Sequence, residues 1–516
     1  MTTQRPIRTR FAPSPTGFLH VGGLRTALYA YLLAKKEGGT FVLRIEDTDQ
    51  SRSVDGAVEN LLETLAVTGI EPDEGPRLAD VDHDMDELHV EEVGEHGPYI
   101  QSNRLDVYKH YALQLVEQGD AYPCFCTPER LEQMRTEQQK AKQPPKYDRH
   151  CLSLSEEEVV RRIEAEESHV LRLRMPADQT ITWEDAVRGT VSFESNLIDD
   201  QVLLKSDGFP TYHLAVVVDD HLMEITHVIR GEEWLSSTPK HLALYNAFGW
   251  EPPIHVHVPL LLNPDKSKLS KRQGDVSVED FLDDGYLVPA LVNFIALLGW
   301  NPKSEQELFS ITELVEAFSL EDLNKSGAIF DRDKLNWMNG EYIKQHDTMD
   351  LLMHAHPFYD EKGLLEEAAK RVGASNKMDQ IVMEEIAKSL SIEQTRLEKL
   401  SQVGEETDYL FVNALNYPAE DLIWKKSTQE DTVLYLNALQ DLLSERPEDT
   451  WVTDALEKDV ISWIAENNWK NGDVLWPLRV ALTGKPKSPG PFESLWALGK
   501  ERSLERISRA IELLAA

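Results

Sequence analysis

The opening of the chain constrains the fold more than any other stretch. Arg8–Ala12 (RTRFA) reads as a short strand, APSPTGFLHVGG as a loop dense in proline and glycine, and Leu24, Ala27, Leu28, Tyr31 and Leu32 recur at helical spacing. Gly38-Gly39 stops that helix, and Thr40–Ile45 (TFVLRI) is apolar enough for a buried strand. A strand–loop–helix–strand opening is how nucleotide-type α/β folds begin. It sets His20, Gly22 and Gly23 where helix N–H groups favour phosphate. Alone, a glycine-rich turn with one histidine is more often only a turn.

Further strands are expected at Ile225–Ile229 (ITHVI) and Ile254–Leu262 (IHVHVPLLL), with Thr238-Pro239 starting a helix between them. From about Asp120 to Asn196 the texture changes: a cysteine pair, a Lys/Gln/Pro-rich segment (KAKQPPKYDRH) and strands such as HVLRLRM and TVSFES suggest an inserted subdomain. Beyond Glu279 strand signals fade. ELVEAFSLEDL, VMEEIAKSLSIEQTRLEKL and LYLNALQDLLSE carry helical periodicity. With 516 residues the chain should form two to four domains. Its longest mostly apolar run, Tyr286–Trp300, is shorter than the roughly 20 residues of a membrane helix, and MTTQRPIRTRF leads into no apolar h-region. A cytoplasmic location away from membranes is expected.

Net charge is −37, with 90 acidic against 53 basic residues, which argues against indiscriminate polyanion or membrane-surface binding. A solvated surface and adaptation to high salt both fit this acidity. Arg77–His96 is densely acidic and reads as an exposed loop. Against that field, Asn263–Gly274 (NPDKSKLSKRQG) follows an apolar strand and gathers Lys266, Lys268, Lys271 and Arg272 within seven residues. A solvated basic turn is the plain reading, but in so acidic a chain the cluster also makes a local anion site, suited to a phosphate clamp.

Together, HVGG and KLSKR resemble the paired histidine–glycine and lysine–serine–lysine motifs of class I aminoacyl-tRNA synthetases. The flanking text, RFAPSPTGFLHVGGLRTALYAYLLAKKEGGTFVLRIEDTD, DGFPTYHLAVVVDDHLMEITHVIRGEEWLSSTPKHLALYNAFGW, PDKSKLSKR, FDRDKLNWMNGEYI and the closing PLRVALTG and SPGPFESLWALGKERSLERI, is similar to glutamyl-tRNA synthetases of bacterial type along essentially the whole chain. The resemblance implies an α/β fold: a class I Rossmann-type catalytic domain interrupted by an inserted α+β acceptor-binding subdomain, then all-α anticodon-binding domains. The expected boundaries are 1–119 and 201–262 for the two catalytic halves, 120–200 for the insertion, 263–345 for a stem-contact region holding the KLSKR loop, and 346–516 for the helical domains.

The implied activity is ligation of glutamate to tRNA(Glu) through glutamyl-adenylate. Its chemistry brings a carboxylate onto the α-phosphorus of ATP, a meeting of two anions that calls for charge neutralisation and positioning rather than a covalent enzyme intermediate. By resemblance, His20, Gly22, Gly23, Lys268, Ser270, Lys271, Arg272, Glu233 and Leu261 form the ATP site, with Mg²⁺ accompanying the nucleotide. Arg10, Ala12, Ser14, Glu46, Tyr212, Arg230 and Trp234 form the glutamate pocket. Arg10 and Arg230 follow apolar runs and suit the two carboxylates, while Glu46 suits the α-ammonium. Taken singly, Tyr212 and Trp234 could be core aromatics and Glu46 a solvated strand end.

Cys124-x-Cys126, 24 further residues and Cys151 have metal-like spacing. Position 153 is serine where some relatives have histidine, and Tyr147-x-x-x-Cys151 resembles the arrangement in glutamyl-queuosine synthetases, so Cys124, Cys126, Tyr147 and Cys151 are the candidate zinc ligands, against three reduced cysteines without metal. Arg396 matches an arginine that restricts anticodon choice in discriminating relatives, although an exposed helix arginine explains it equally, and charging of tRNA(Gln) is left open. A monomer is the family expectation. Three rivals are weighed. The helical C-terminal part speaks against a glutamyl-queuosine synthetase, Arg230 against a glutaminyl-tRNA synthetase, and intact His20, Lys268 and Lys271 against a noncatalytic paralogue.

Overall fold

The computed structural model describes residues 5–79, 90–269 and 276–516. These form two compact units, one of residues up to 281 with 288–332, the other of 282–287 with 333–516.

The first unit is built on a six-stranded sheet. Its strands are β1 (Arg8–Phe11), β2 (Thr40–Leu43), β3 (Thr180–Asp185), β4 (Gly189–Glu194), β5 (His227–Gly231) and β6 (Ile254–Val258), in spatial order β2-β1-β5-β6-β3-β4. All neighbouring pairs are parallel except the β3–β4 hairpin; Arg10 lies opposite Val42, Arg230 opposite His257 and His255 opposite Asp185. Three helices serve this sheet: α1 (Val21–Lys36), α2 (Tyr212–Leu222) and α3 (Thr238–Phe248). On α1, Leu24, Ala27, Leu28 and Leu32 are buried as their spacing requires, each leucine contributing about 2 kcal/mol over exposure, and Tyr31 is half-buried. Pro239 sits in the first turn of α3, where a missing N–H costs nothing. The parallel order points the carboxyl ends of all these strands but β4 to one edge, the place where ligands of such sheets bind.

The insertion is a three-stranded antiparallel sheet of Ala121–Cys124, Val170–Leu173 and Val202–Leu204, flanked by helices Pro128–Lys140 and Glu156–Glu164. TVSFES does not belong to it. With Thr180–Asp185 it makes the β3–β4 hairpin at the edge of the central sheet, because the Asp185 carboxylate accepts the Val187 and Arg188 N–H groups of the turn, and Ala186 N–H donates to the His255 carbonyl of β6. Nor is Arg77–His96 simply a loop. Its ends pair antiparallel, Gly75–Leu78 with Val90–Val93; residues 80–89 lie outside the described residues.

In the second unit every regular element among the described residues is helical, including Thr348–Glu361, Gln380–Glu393, Gln429–Ser444, Thr453–Glu466, Asn471–Thr483 and Pro491–Ala515. The expected helix through SIEQTRLEKL ends at Glu393. That side chain turns inward, accepting Gly404 N–H at 2.9 Å and the Thr407 hydroxyl at 2.7 Å, and the Arg396 guanidinium donates to the orphan Ile392 carbonyl at 2.5 Å. The apolar run Tyr286–Trp300 contains the helix Val288–Ala296, and no helix among the described residues is long and apolar enough to cross a membrane.

Candidate active site

A cavity of about 700 Å³ opens at the carboxyl ends of β1, β2 and β5. One wall is the loop Ala12–Leu19 with the first turn of α1. His20 is the N-cap of that helix: its Nδ1 accepts Gly23 N–H at 3.1 Å, which puts its proton on Nε2. A Cβ on Gly22 would lie 3.1 Å from the His20 ring, closer than an ordinary van der Waals contact, so the imidazole packs tightly over the bare glycine. Lys268 lies across the cavity, its Nζ 3.9 Å from Glu233 Oε1, and Leu261 and Leu269 line the same side. Glu233 folds so closely over Gly231 that any Cβ there would meet its carboxylate. Ser270, Lys271 and Arg272 lie outside the described residues. The stretch that follows them is tied to α1, with Val21 N–H bonding the Val276 carbonyl at 3.0 Å.

The other wall carries the charged pocket. Arg10 is 4% exposed; its Nε donates to Asp220 Oδ1 at 3.2 Å and its Nη1 to the Ile229 carbonyl at 3.3 Å, leaving Nη2 for a ligand. Behind it, Arg44 bridges Asp220 at 2.8 Å and Glu46 at 2.9 Å, with Asp219 at 3.7 Å. Asp219 also accepts Arg104, Gln101 and Tyr108, each at 2.8 Å. Three guanidinium groups thus balance three carboxylates among buried side chains, a network that holds only while it is complete. Burial pushes Glu46 above the usual carboxylate range despite Arg44 and Arg10, whereas at Asp220 the same two arginines outweigh burial and hold it low.

Arg230, 6% exposed, is fastened on three sides. Its Nε donates to His257 Nε2 at 3.1 Å, Nη2 to the Thr238 hydroxyl at 2.9 Å, and Nη1 to the Tyr212 hydroxyl at 3.0 Å. Tyr212 accepts there and keeps its own O–H for the cavity, and its ring packs on Trp234 with centroids 4.6 Å apart. Ala12 and Ser14 border the same space. All seven residues of the expected amino-acid pocket therefore line one cavity with His20, Gly22, Gly23, Glu233, Leu261 and Lys268.

Sequence reasoning missed the supports: Arg44, Asp219, Asp220, Thr238, His257 and Asp185. Three had a visible signal. Asp219-Asp220 interrupts the apolar run LAVVV within α2, and Arg44 sits inside the buried strand TFVLRI, so each had to find a partner in the core.

Away from the cavity, the Cys124, Cys126 and Cys151 sulfurs lie within 4.8 Å of one another, and the Tyr147 hydroxyl is 3.3 Å from both Cys124 and Cys126. Cys124 is pulled down to about 4, chiefly by the Cys151 hydrogen bond, with Tyr147 and Arg172 adding to it, and its bond to Cys124 pushes Cys151 up. One thiolate beside two further sulfurs and a phenol oxygen is a donor set that suits zinc. In the second unit, Arg396 pairs with Glu493 at 3.2 Å on a cavity of about 690 Å³ that is also lined by Trp424, Glu457, Trp476 and Arg479.

The chain matches two family models: "tRNA synthetases class I (E and Q), catalytic domain" over residues 6–337 and "Anticodon binding domain" over 350–511. It is 47% identical to a glutamate–tRNA ligase of Clostridioides difficile over 504 residues, 97% of this chain and 98% of that protein. It is 44% identical to one of Clostridium botulinum over 515 residues, 99% of each. A crystal structure of a glutamate tRNA ligase from Elizabethkingia meningosepticum in complex with its amino acid superposes with a TM-score of 0.83 at 33% identity, over 98% of this chain and 99% of that one. Catalytic fold, helical second unit and full-length likeness agree, and the chain belongs to the glutamate–tRNA ligases of class I.

Proposed function

We propose that this ligase binds glutamate and ATP side by side in the cavity between α1 and Arg230, and passes the activated glutamate to the end of tRNA(Glu). The α-carboxylate oxygen attacks the α-phosphorus, an acid anhydride bond to AMP forms and pyrophosphate leaves. The 3′-terminal ribose hydroxyl of the tRNA then attacks the activated carbonyl, yielding Glu-tRNA and AMP. ATP arrives with Mg²⁺, whose charge offsets the phosphates. On this chain's side, the helix N-terminus with His20, Gly22 and Gly23 cradles the nucleotide, while Lys268, Ser270, Lys271 and Arg272 close on its phosphates and Glu233 and Leu261 border it. Arg10 orients the α-carboxylate and Glu46 takes the α-ammonium. Arg230 and the Tyr212 hydroxyl receive the γ-carboxylate, with Trp234, Ala12 and Ser14 shaping the pocket.

The observation that carries this reading is that two buried arginines and a buried glutamate open into the same cavity as the capped start of α1. A neutral amide gives Arg230 no counter-charge, which favours glutamate over glutamine. The test is ATP–pyrophosphate exchange in the presence of glutamate and tRNA, on the parent and on Arg230→Ala. Losing a charge-assisted pair worth about 3 kcal/mol should raise the glutamate KM roughly a hundredfold and leave the ATP KM within about twofold. Near-normal glutamate kinetics would remove Arg230 from the pocket.

Finer parts of the reading follow the same chemistry. Residues 120–200 grip the acceptor stem, 263–345 contact the stem beyond it and 346–516 read the anticodon, with Arg396 restricting charging to tRNA(Glu). Charging assays on purified tRNA(Glu) and tRNA(Gln) with Arg396→Gln check that restriction, with charging of tRNA(Gln) expected only in the variant. Cys124, Cys126, Tyr147 and Cys151 would hold a structural zinc, which metal analysis without chelator decides. The enzyme works as a cytoplasmic monomer, a state that light scattering measures directly.

A further inference from the structure

The support behind Arg230 is a chain of single hydrogen bonds with a defined direction. Asp185 Oδ1 accepts the Val187 and Arg188 N–H groups at 3.1 and 3.0 Å, with His257 N–H at 3.4 Å; its Oδ2 meets His257 Nδ1 at 2.5 Å. A carboxylate can only accept, so His257 carries its proton on Nδ1 and turns a bare Nε2 toward Arg230 Nε at 3.1 Å and the Thr238 hydroxyl at 3.3 Å. Thr238 in turn accepts Arg230 Nη2 at 2.9 Å. Both side chains are fully buried and neither lines the cavity, so they reach a ligand only through Arg230. Burial holds His257 below its ordinary value, against the pull of Asp185, which keeps Nε2 an acceptor.

We infer that Asp185 and His257 are positioning residues for the γ-carboxylate: by enforcing one imidazole tautomer they fix the plane of the Arg230 guanidinium, and with it the preference for glutamate over glutamine. The inference goes beyond the proposed site and rests on Arg230 being its γ-carboxylate ligand. Asp185 comes from the edge hairpin and His257 from the strand beside Arg230, so glutamate selectivity is set from neighbouring strands of the same sheet.

Asp185→Asn is the informative change. The backbone N–H groups claim the amide oxygen at the Oδ1 position, which turns the NH₂ toward His257 Nδ1. The imidazole must then accept there and move its proton to Nε2, where N–H faces N–H of Arg230. Steady-state kinetics of full-length enzyme should show a glutamate KM raised about thirtyfold with kcat and the ATP KM within about threefold, and a smaller ratio of glutamate to glutamine use. His257→Phe, which keeps a ring but removes the acceptor, should give the same split. On the His257→Phe background, Asp185→Asn should alter the glutamate KM less than about twofold, because the tautomer no longer exists to be set. Additive losses, or equal losses for glutamate and ATP, would reduce the pair to a packing role. Should Asp185→Asn fail to fold, His257→Phe and the double variant, which buries no unpaired charge, decide the matter alone. Arg230→Ala is measured alongside. If it leaves the glutamate KM unchanged, the assignment of Arg230 falls and this inference with it; if it raises KM while Asp185→Asn and His257→Phe do not, only the positioning role falls.

Discussion

The His20 imidazole caps α1 at the cavity and, on the proposed reading, also faces the nucleotide, and Gly22 is the residue packed against its ring. Gly22→Ala would set a methyl 3.1 Å from the His20 ring, tighter than an ordinary contact, so the ring must give by a few tenths of an ångström and its bond to Gly23 N–H is weakened. Loss of such a cap costs about 1 kcal/mol, too little to unfold the chain, so the expected result is a raised ATP KM with glutamate binding nearly unchanged, read by ATP–pyrophosphate exchange. Arg44 is the opposite case, outside the lining of the active-site cavity but neutralising Glu46 and Asp220 at once. Arg44→Met should destabilise the first unit by about 4 kcal/mol, measured by urea unfolding, because it strands two buried carboxylates. Residues of the first kind were legible, since His20, Arg10 and Arg230 stand where strands end and a glycine turn begins. Residues like Asp185 and His257 were not: they are 72 positions apart and meet only because β3 lies beside β6.

At the scale of elements, sequence pattern found β1, β2, β5, β6 and α1, and left out β3, which pairs parallel with β6. It misplaced β4. TVSFE alternates exposed and half-buried residues in the manner of any antiparallel edge, and nothing in that alternation says which of two sheets it joins; the Asp185 turn decides that in three dimensions. It also carried the helix before Arg396 too far, since Glu393 leaves the periodic pattern only to bind Gly404 and Thr407, partners no local rule supplies. The cysteine element is different, because spacing alone brought out its sulfurs. If Cys124, Cys126, Tyr147 and Cys151 hold zinc, Cys151→Ser should lower bound zinc from about one equivalent to a small fraction and raise the KM for tRNA severalfold, with glutamate and ATP constants untouched. Equal zinc content in parent and variant would place the metal elsewhere.

For the whole molecule, the two units should differ in their response to mild acid. Burial holds His213 and His255 down to about 3 and pulls His241 and His257 below their ordinary value, all in the first unit. Unfolded, each titrates near 6.5, so below that pH the unfolded chain binds protons the folded unit refuses, and stability falls as pH drops. Each such group contributes up to about 1.4 kcal/mol per pH unit, with His257 giving least because Asp185 favours its charge, so the first unit should lose on the order of 4 kcal/mol between pH 7.5 and 5.5. The second unit holds Glu393, which burial raises above the usual carboxylate range, so its folded form binds a proton more readily than the unfolded one; Glu385, where burial is outweighed by Lys388 and Arg371, loses stability in acid only as pH nears the ordinary carboxylate range, below pH 5.5. Thermal unfolding at the two pH values, with hydrogen exchange assigning each transition, should show the first unit's midpoint falling by roughly 5–10 °C while the second unit's holds or rises. A first unit that keeps its midpoint at pH 5.5 would mean that these histidines accept protons without unfolding, and the neutral Nε2 on which Arg230 rests would lose its basis.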